Sequence, residues 1–237
     1  YYNMVLSNKG IYRPFLNSVF ITIVGTVISI FLESMGAYTL TKKNLPGHNF
    51  FIWMLIIPMM FGGGLIPSYL LNKYLHLVDN MAILIISGVI SAWNMLLIRN
   101  YYNSIPESLA ESARIDGAQE FTVFSKIIFP LSIPVIAAIA LFTSVGYWNT
   151  YMTAVIYINS PEKYPFPVKL RQIITVQDEN KNVMEMLAED NNILIQYLNN
   201  EGLGASMIIL SMIPIIVMYP YLQKYFAKGL MVGSIKG

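Results

Sequence analysis

The sequence predicts an all-α, polytopic membrane protein, and three observations carry that expectation. Only 12% of its 237 residues are charged while 55% are hydrophobic, whereas soluble domains carry about 25% charged residues to cover their surface. Mean hydropathy is positive, at +0.54. Five charge-free runs also match the roughly 20 apolar residues that cross a bilayer.

The first run, Pro14–Leu32, holds 19 residues, and its apolar pattern resumes after Glu33 as far as Thr41. Asn49–Asn72 holds 24, Asn80–Ile98 holds 19, Ile127–Pro161 holds 35 and Gly202–Gln223 holds 22. Five buried soluble helices of this length, apolar on every face, would be very unusual. The fourth run is too long for one span. As a straight helix it would reach roughly 50 Å against a hydrocarbon core of about 30 Å. It contains Pro130, Pro134 and Gly146, so a bend or break is expected around Gly146–Asn149. Gly62, Gly63, Gly64 and Pro67 interrupt the second run in the same way. Non-helical backbone survives at membrane depth only where protein or a water-filled cavity satisfies it. Each interruption therefore marks either a solute pathway or a kink at tight helix packing.

Orientation follows from lysine and arginine. Eight fall on one side, including Lys42, Lys43, Arg99, Arg114 and Lys126, and seven on the other. The short loop with Lys42 and Lys43 weighs most, and acids from Asp79 to Glu201 concentrate on the opposite side. The 41–49 loop, the 99–126 loop and the C-terminus are accordingly expected in the cytoplasm. With no cysteine, disulfides, thiolate metal sites and a Cys nucleophile are excluded. His48 and His76 are isolated, so no metal spacing exists. A net charge of +2 is too small to suggest a nucleic-acid partner. The chain starts at Tyr1 without Met or a signal-peptide pattern; the expectation is that a preceding segment with one further span is missing.

The 99–134 segment is the most informative. Ser104 with Glu107 reads as a capping box, with Pro106 in the first turn, opening a helix that runs to about Asp116. Gly117 then supplies a left-handed position at the helix end. A second helix follows, with Phe121, Phe124 and Ile128 on one side, and meets the membrane at Pro130. Glu107, Glu111 and Arg114 share one stripe, and Ala110 and Ala113 keep another part slim enough for a partner backbone. A connection of this length with its own helices has a task beyond joining spans; the plainer alternative is an amphipathic helix resting on lipid.

Glu33 is the only acid inside a span. Intramembrane carboxylates are costly and often functional. Glu33 either bonds within the pore, pairs with another subunit, or lies near the interface, two turns before Lys42 and Lys43; the last is the plainer reading. Tyr147, Trp148, Asn149 and Tyr151 offer aromatic faces and an amide where the fourth run is expected to break, and Asn94 in the third run could join them. Aromatic faces with a few polar groups in a concave site suit a sugar; the alternative is ordinary packing between helices. In the external segment, 158–203, the stretch Asn182–Asn199 is acidic and amphipathic, fit to pack on the spans or to receive a partner. Tyr1, Tyr2 and Tyr12 fit an interfacial belt.

The loop resembles a known family. Glu-Ala-Ala, three residues, Gly, nine residues, Ile, one residue, Leu-Pro marks the permease subunits of bacterial ABC importers. Here it reads Glu111-Ser112-Ala113, then Gly117, Ile127, Phe129 and Pro130, with the spacing kept and Ser112 and Phe129 departing from the consensus. Asp116-Gly117-Ala118, the pair Trp148-Asn149, and the ending QKYFAKGLMVGSIKG resemble the sugar-importing branch, and within it the maltose-permease-like subunits for complex sugars and oligosaccharides. The resemblance covers nearly the whole chain, as a single permease domain over 1–237.

The resemblance implies a type I importer permease (MetI-like) fold, normally with six spans, of which five are visible here. It implies half of a translocation pathway for a carbohydrate in the bacterial cytoplasmic membrane. It gives the ATPase-coupling role to Glu111, Ser112, Ala113, Asp116, Gly117, Ala118, Phe121, Ile127 and Pro130. The implied partners are a second homologous permease, two copies of an ABC ATPase and an extracytoplasmic substrate-binding lipoprotein. No phosphate-binding GxxxxGK[ST] loop occurs in the chain. It is therefore expected to bind no cofactor and to be no enzyme, with ATP and Mg²⁺ used by the partner ATPase. An ion-coupled secondary transporter is the main rival, but it would need intramembrane acids beyond Glu33 and leaves the Glu111–Pro130 loop unexplained. A permease for a non-sugar solute is the nearer alternative.

Overall fold

The computed structural model describes residues 9–175, 204–217 and 219–220, and every regular element among them is helical. Tyr1 and Tyr2, the Asn182–Asn199 stretch and the C-terminal pattern lie outside the described residues.

Helix α1, Lys9–Thr39, is the one continuous helix long and apolar enough to cross a membrane among the described residues. Pro14 lies inside it, at its sixth described residue. α1 is the post around which the other helices pack. A Cβ on Gly25 would lie 2.6 Å from the Tyr147 ring, and one on Gly36 would lie 2.8 Å from Met95. Small residues at these two levels let neighbouring helices approach closely, the usual solution where lipid supplies no hydrophobic force between helices.

The second, third and fourth expected spans are broken. Helices α2, His48–Met60, and α3, Leu65–Tyr74, meet at 120° across the glycine run, where Gly64 takes a φ of 79°. Neither buries a residue fully. The third run, expected as one span, is two pieces: α4, Ala82–Ile86, and α5, Ala92–Asn103. The reason is tertiary. Gly88 lies against the Tyr147 ring, and the side chain of Glu33 takes the Ser91 N–H that an unbroken helix would send to its own backbone.

The 99–134 segment forms α6, Glu107–Ile115, then α7, Glu120–Val123, a π turn over Phe124–Ile128, and α8, Phe129–Leu131. The fourth run bends by 80° at Ser132, between Pro130 and Pro134. Its longer piece is α9, Ile133–Trp148. The expected break near Gly146–Asn149 falls at the far edge of that window: α9 passes through Gly146, ends at Trp148 and restarts as α10, Met152–Tyr157. In the fifth run, Gly204–Val217 is helical.

Both ends of α1 are tied down. At one end the Asn17 amide donates to the carbonyls of Glu162 and Tyr164, and Ser18 Oγ accepts the Phe166 N–H at 2.8 Å. Phe166 is completely buried beside Phe15 and Trp148. There also, Asp79 holds the 158–163 turn by accepting from the Asn159 and Ser160 N–H groups, the Ser160 hydroxyl and Lys163. The Ser160 bonds, with Lys163, hold its carboxyl well below the usual carboxylate range. At the other end of α1, Tyr38 and Lys42 meet Arg114 and Glu120. The 41–49 and 99–126 loops therefore share one end of the bundle, as the charge pattern requires.

Candidate functional site

Two places combine polar chemistry with access: the α6–α7 unit at one end of α1, and a cleft beside the α4–α5 break.

The α6–α7 unit is built by its turn. Asp116 closes α6 and Gly117 follows at a φ of 84°. The Gly117 N–H donates to the Arg114 carbonyl and the Ala118 N–H to the Ala113 carbonyl, at 3.0 and 2.9 Å. This paired closure needs a residue that accepts the left-handed region, and glycine does so without penalty. The expected capping box does not form. Ser104 is in the helical region and ends α5, its hydroxyl donating to the Tyr101 carbonyl. Pro106 is the residue before α6, so Glu107 falls at the first helical position rather than the third.

The faces of α6 also differ from expectation. Ala110 is buried against this chain's own core, with Ala113 and Ala118 partly buried beside it. The slim stripe thus receives the chain's own bundle, not a partner. Outward lie Glu107, Glu111, Ser112, Asp116 and Gly117, together with Leu109 and with Ile115, which is 87% exposed. Phe121 is 62% exposed while Phe124 and Ile128 are buried. The π turn shifts the register after Val123, so the three do not share one face. Ile127 packs partly against the core, and Pro130 is exposed ahead of the bend.

Glu120 receives Arg114 Nε on one oxygen and Lys42 Nζ on the other, each at 2.8 Å, and the Tyr38 hydroxyl as well. Desolvation pushes its carboxyl up from 4.5, but the bonds from Lys42, Tyr38 and Arg114 outweigh this and hold it at about 2. Because the folded value is depressed, the cluster is present above the ordinary carboxylate range and is lost only as pH falls towards about 2. Attachment of α7 to α1 should therefore be flat between about pH 5 and 8 and should weaken with added salt, since the pairs are exposed. Titrating a fluorophore placed near Lys43 checks both.

The cleft, about 370 Å³, lies between the α4–α5 break and α9. Ser87, Ser91, Asn94, Thr143, Thr150 and Thr153 supply its polar lining. Glu33, completely buried, backs it. The carboxylate accepts the Ser91 N–H at 2.7 Å and both contacts from the Asn94 amide at 3.4 Å, and that amide also reaches Thr143. Glu33 is thus an internal partner of the third run.

Of the expected pathway residues, Asn94 and Tyr147 line this cleft. Tyr147 is nonetheless buried, with its hydroxyl donating to the Ile85 carbonyl and accepting from Ser29. Trp148 is buried between Phe15 and Phe166, and its indole N–H donates to the Ser211 carbonyl. Its faces are covered by protein, so it is part of the frame here. Asn149 is exposed at the end of α9, and Tyr151 packs partly against the core of α4 and α10. The small hydroxyl residues were missed; their clustering as Ser87-Gly88 with Ser91, and Thr143-Ser144 with Thr150, was the available signal.

A broken-helix bundle with a polar cleft and an outward-facing helix at one end fits a membrane permease. The chain belongs to the family described as binding-protein-dependent transport system inner membrane component, matched over residues 18–232, and is a permease subunit of the ABC importer type. It is 40% identical over 236 residues to the Polygalacturonan/rhamnogalacturonan transport system permease protein YtcP of Bacillus subtilis, covering all of this chain and 81% of that one. To the arabinooligosaccharides transport system permease AraQ of Bacillus subtilis it is 29% identical over 239 residues, covering all of this chain and 78% of the relative. Its fold matches a chain in the crystal structure of a bacterial ABC transporter that imports the acidic polysaccharide alginate, with a TM-score of 0.84 and 33% identity over 95% of this chain and 78% of that one.

Proposed function

We propose that this subunit forms half of the translocation pathway for an oligosaccharide and receives its driving motion from a separate ATPase. The observation that carries the cargo is the cleft. Its hydroxyl and amide lining offers the donors and acceptors that a sugar's hydroxyl groups require, in a concave site inside the bundle. Relatives named for polygalacturonan/rhamnogalacturonan and for arabinooligosaccharides support the same class.

The outward face of α6, with Glu111 and Ile115, supports docking in a groove of the ATPase. Two ATPase copies would close on ATP and Mg²⁺ and push α6 as a rigid body, and the spans would rock between two states. This chain supplies no nucleotide site of its own in that scheme. The exposed apolar sides of α2 and α3 suit lipid and the second, homologous permease. A substrate-binding lipoprotein delivers cargo from the Asp79–Lys163 side, and the C-terminus lies with the ATPase in the cytoplasm.

The test is uptake by proteoliposomes holding the full transporter, with ATP inside, against a panel of labelled oligosaccharides and control amino acids and peptides. ATP-dependent uptake of an oligosaccharide is expected, and Thr143→Val should reduce it. Uptake confined to peptides or amino acids overturns the cargo.

A further inference from the structure

The α6–α7 unit could move against the bundle without moving α1, unless something binds the two. The described contacts give α1 two kinds of attachment to it. One is apolar: Tyr38 packs on Phe124 at a ring distance of 5.3 Å, and Ala37 and Leu40 share a core with Ala110 and Val123. The other is Glu120. It joins three elements at one carboxylate: α6 through Arg114, the end of α1 through Tyr38, and the 41–49 loop through Lys42. Lys42 Nζ also sits 4.5 Å from the Tyr38 ring centroid, which holds the ammonium in place from two sides. The other end of this chain of contacts is close by. Five residues before Tyr38, α1 carries Glu33, which grips Ser91 and Asn94 at the cleft.

We propose that Glu120 is the positioning residue that turns displacement of α6 into displacement of α1, and so carries the ATPase stroke to the cleft. This rests on reading the outward face of α6, with Glu111 and Ile115, as the ATPase dock. The side chain of Glu120 is 55% exposed, with Lys42 and Arg114 at 32% and 33%. Exposed ion pairs hold little stability, so the cluster is poorly suited to keeping the protein folded. It is well suited to fixing the relative placement of two elements that otherwise share apolar packing and the Tyr38–Arg114 contact. Spatial succession alone does not establish coupling, so the test has to read motion at the far end.

The chain contains no cysteine, so Leu75→Cys and Glu162→Cys, assembled with cysteine-free partner subunits, place two spin labels at the opposite end of the bundle. The full transporter in lipid is trapped with Mg-ATP and vanadate, without any sugar, and the label distance is measured alongside ATPase co-purification. In the parent protein trapping shifts the distance distribution. Glu120→Gln should leave co-purification unchanged but reduce the trapped population roughly five- to tenfold. Glu120→Asp should restore most of it, and Lys42→Glu with Glu120→Lys should restore part. A full shift in Glu120→Gln overturns the proposal, as does loss of co-purification, which would make Glu120 part of the dock instead. Neither readout uses cargo, so the carbohydrate assignment can fail separately, and a parent protein that retains no ATPase would remove the dock itself.

Discussion

Gly117→Val should strip the ATPase from the transporter while leaving the subunit in the membrane. A Cβ at Gly117 meets nothing within 4 Å, so the effect is not a clash. It is backbone strain: the residue sits at a φ of 84°, where an L side chain costs roughly 1–2 kcal/mol and a β-branched one is a genuine outlier. The chain relieves that strain by opening the turn, which breaks the paired bonds to Arg114 and Ala113 and frees α6 from its fixed angle to α7. The docking-competent population then falls by roughly five- to thirtyfold at about 1.4 kcal/mol per factor of ten. Gly117→Asn should behave nearly as the parent, because asparagine tolerates the left-handed region. Co-purification of the ATPase from detergent extract reads both. If Gly117→Val retains parental levels, the turn is not what presents α6.

The second large effect is expected at Glu33. Glu33→Leu removes the acceptor for the Ser91 N–H and one partner of the Asn94 amide in a buried place. Each orphaned donor costs about 1–3 kcal/mol, and lipid offers no replacement. The α4–α5 break should tighten towards a continuous helix, withdrawing Ser91 and Asn94 from the cleft. Uptake should fall by at least about tenfold, with a lower thermal midpoint. Glu33→Gln keeps an acceptor for Ser91 and should retain more activity. Equal uptake by Glu33→Leu and the parent would show that the buried carboxylate does not shape the cleft.

The two sites differed in how far they could be read beforehand. The α6–α7 unit is local: its turn is made by residues 113–118, and a glycine after an amphipathic stretch announces it. Even there the capping box misled, because Ser104 had two helices to serve and closed the earlier one. The Ala110–Ala113 stripe misled for another reason. Small residues signal close approach but not whose backbone approaches, and here it is this chain's own. The cleft was less legible. Trp148 and Tyr147 drew attention as aromatic residues, yet Phe15, Phe166, Ser29 and Ile85 come from distant segments to enclose them. No local pattern reveals such neighbours.

The sequence by itself determined the all-helical, apolar character of the chain, the sharing of one end by the 41–49 and 99–126 loops, and the glycine turn. All of these follow from composition, charge and contacts a few residues apart. Tertiary structure alone decided that the third run would break. An apolar run of 19 residues would stay helical if left to itself. It opens at Ser87–Ser91, where Gly88 leaves room for the Tyr147 ring and Glu33, 58 residues from Ser91, supplies the hydrogen bond that satisfies the open backbone.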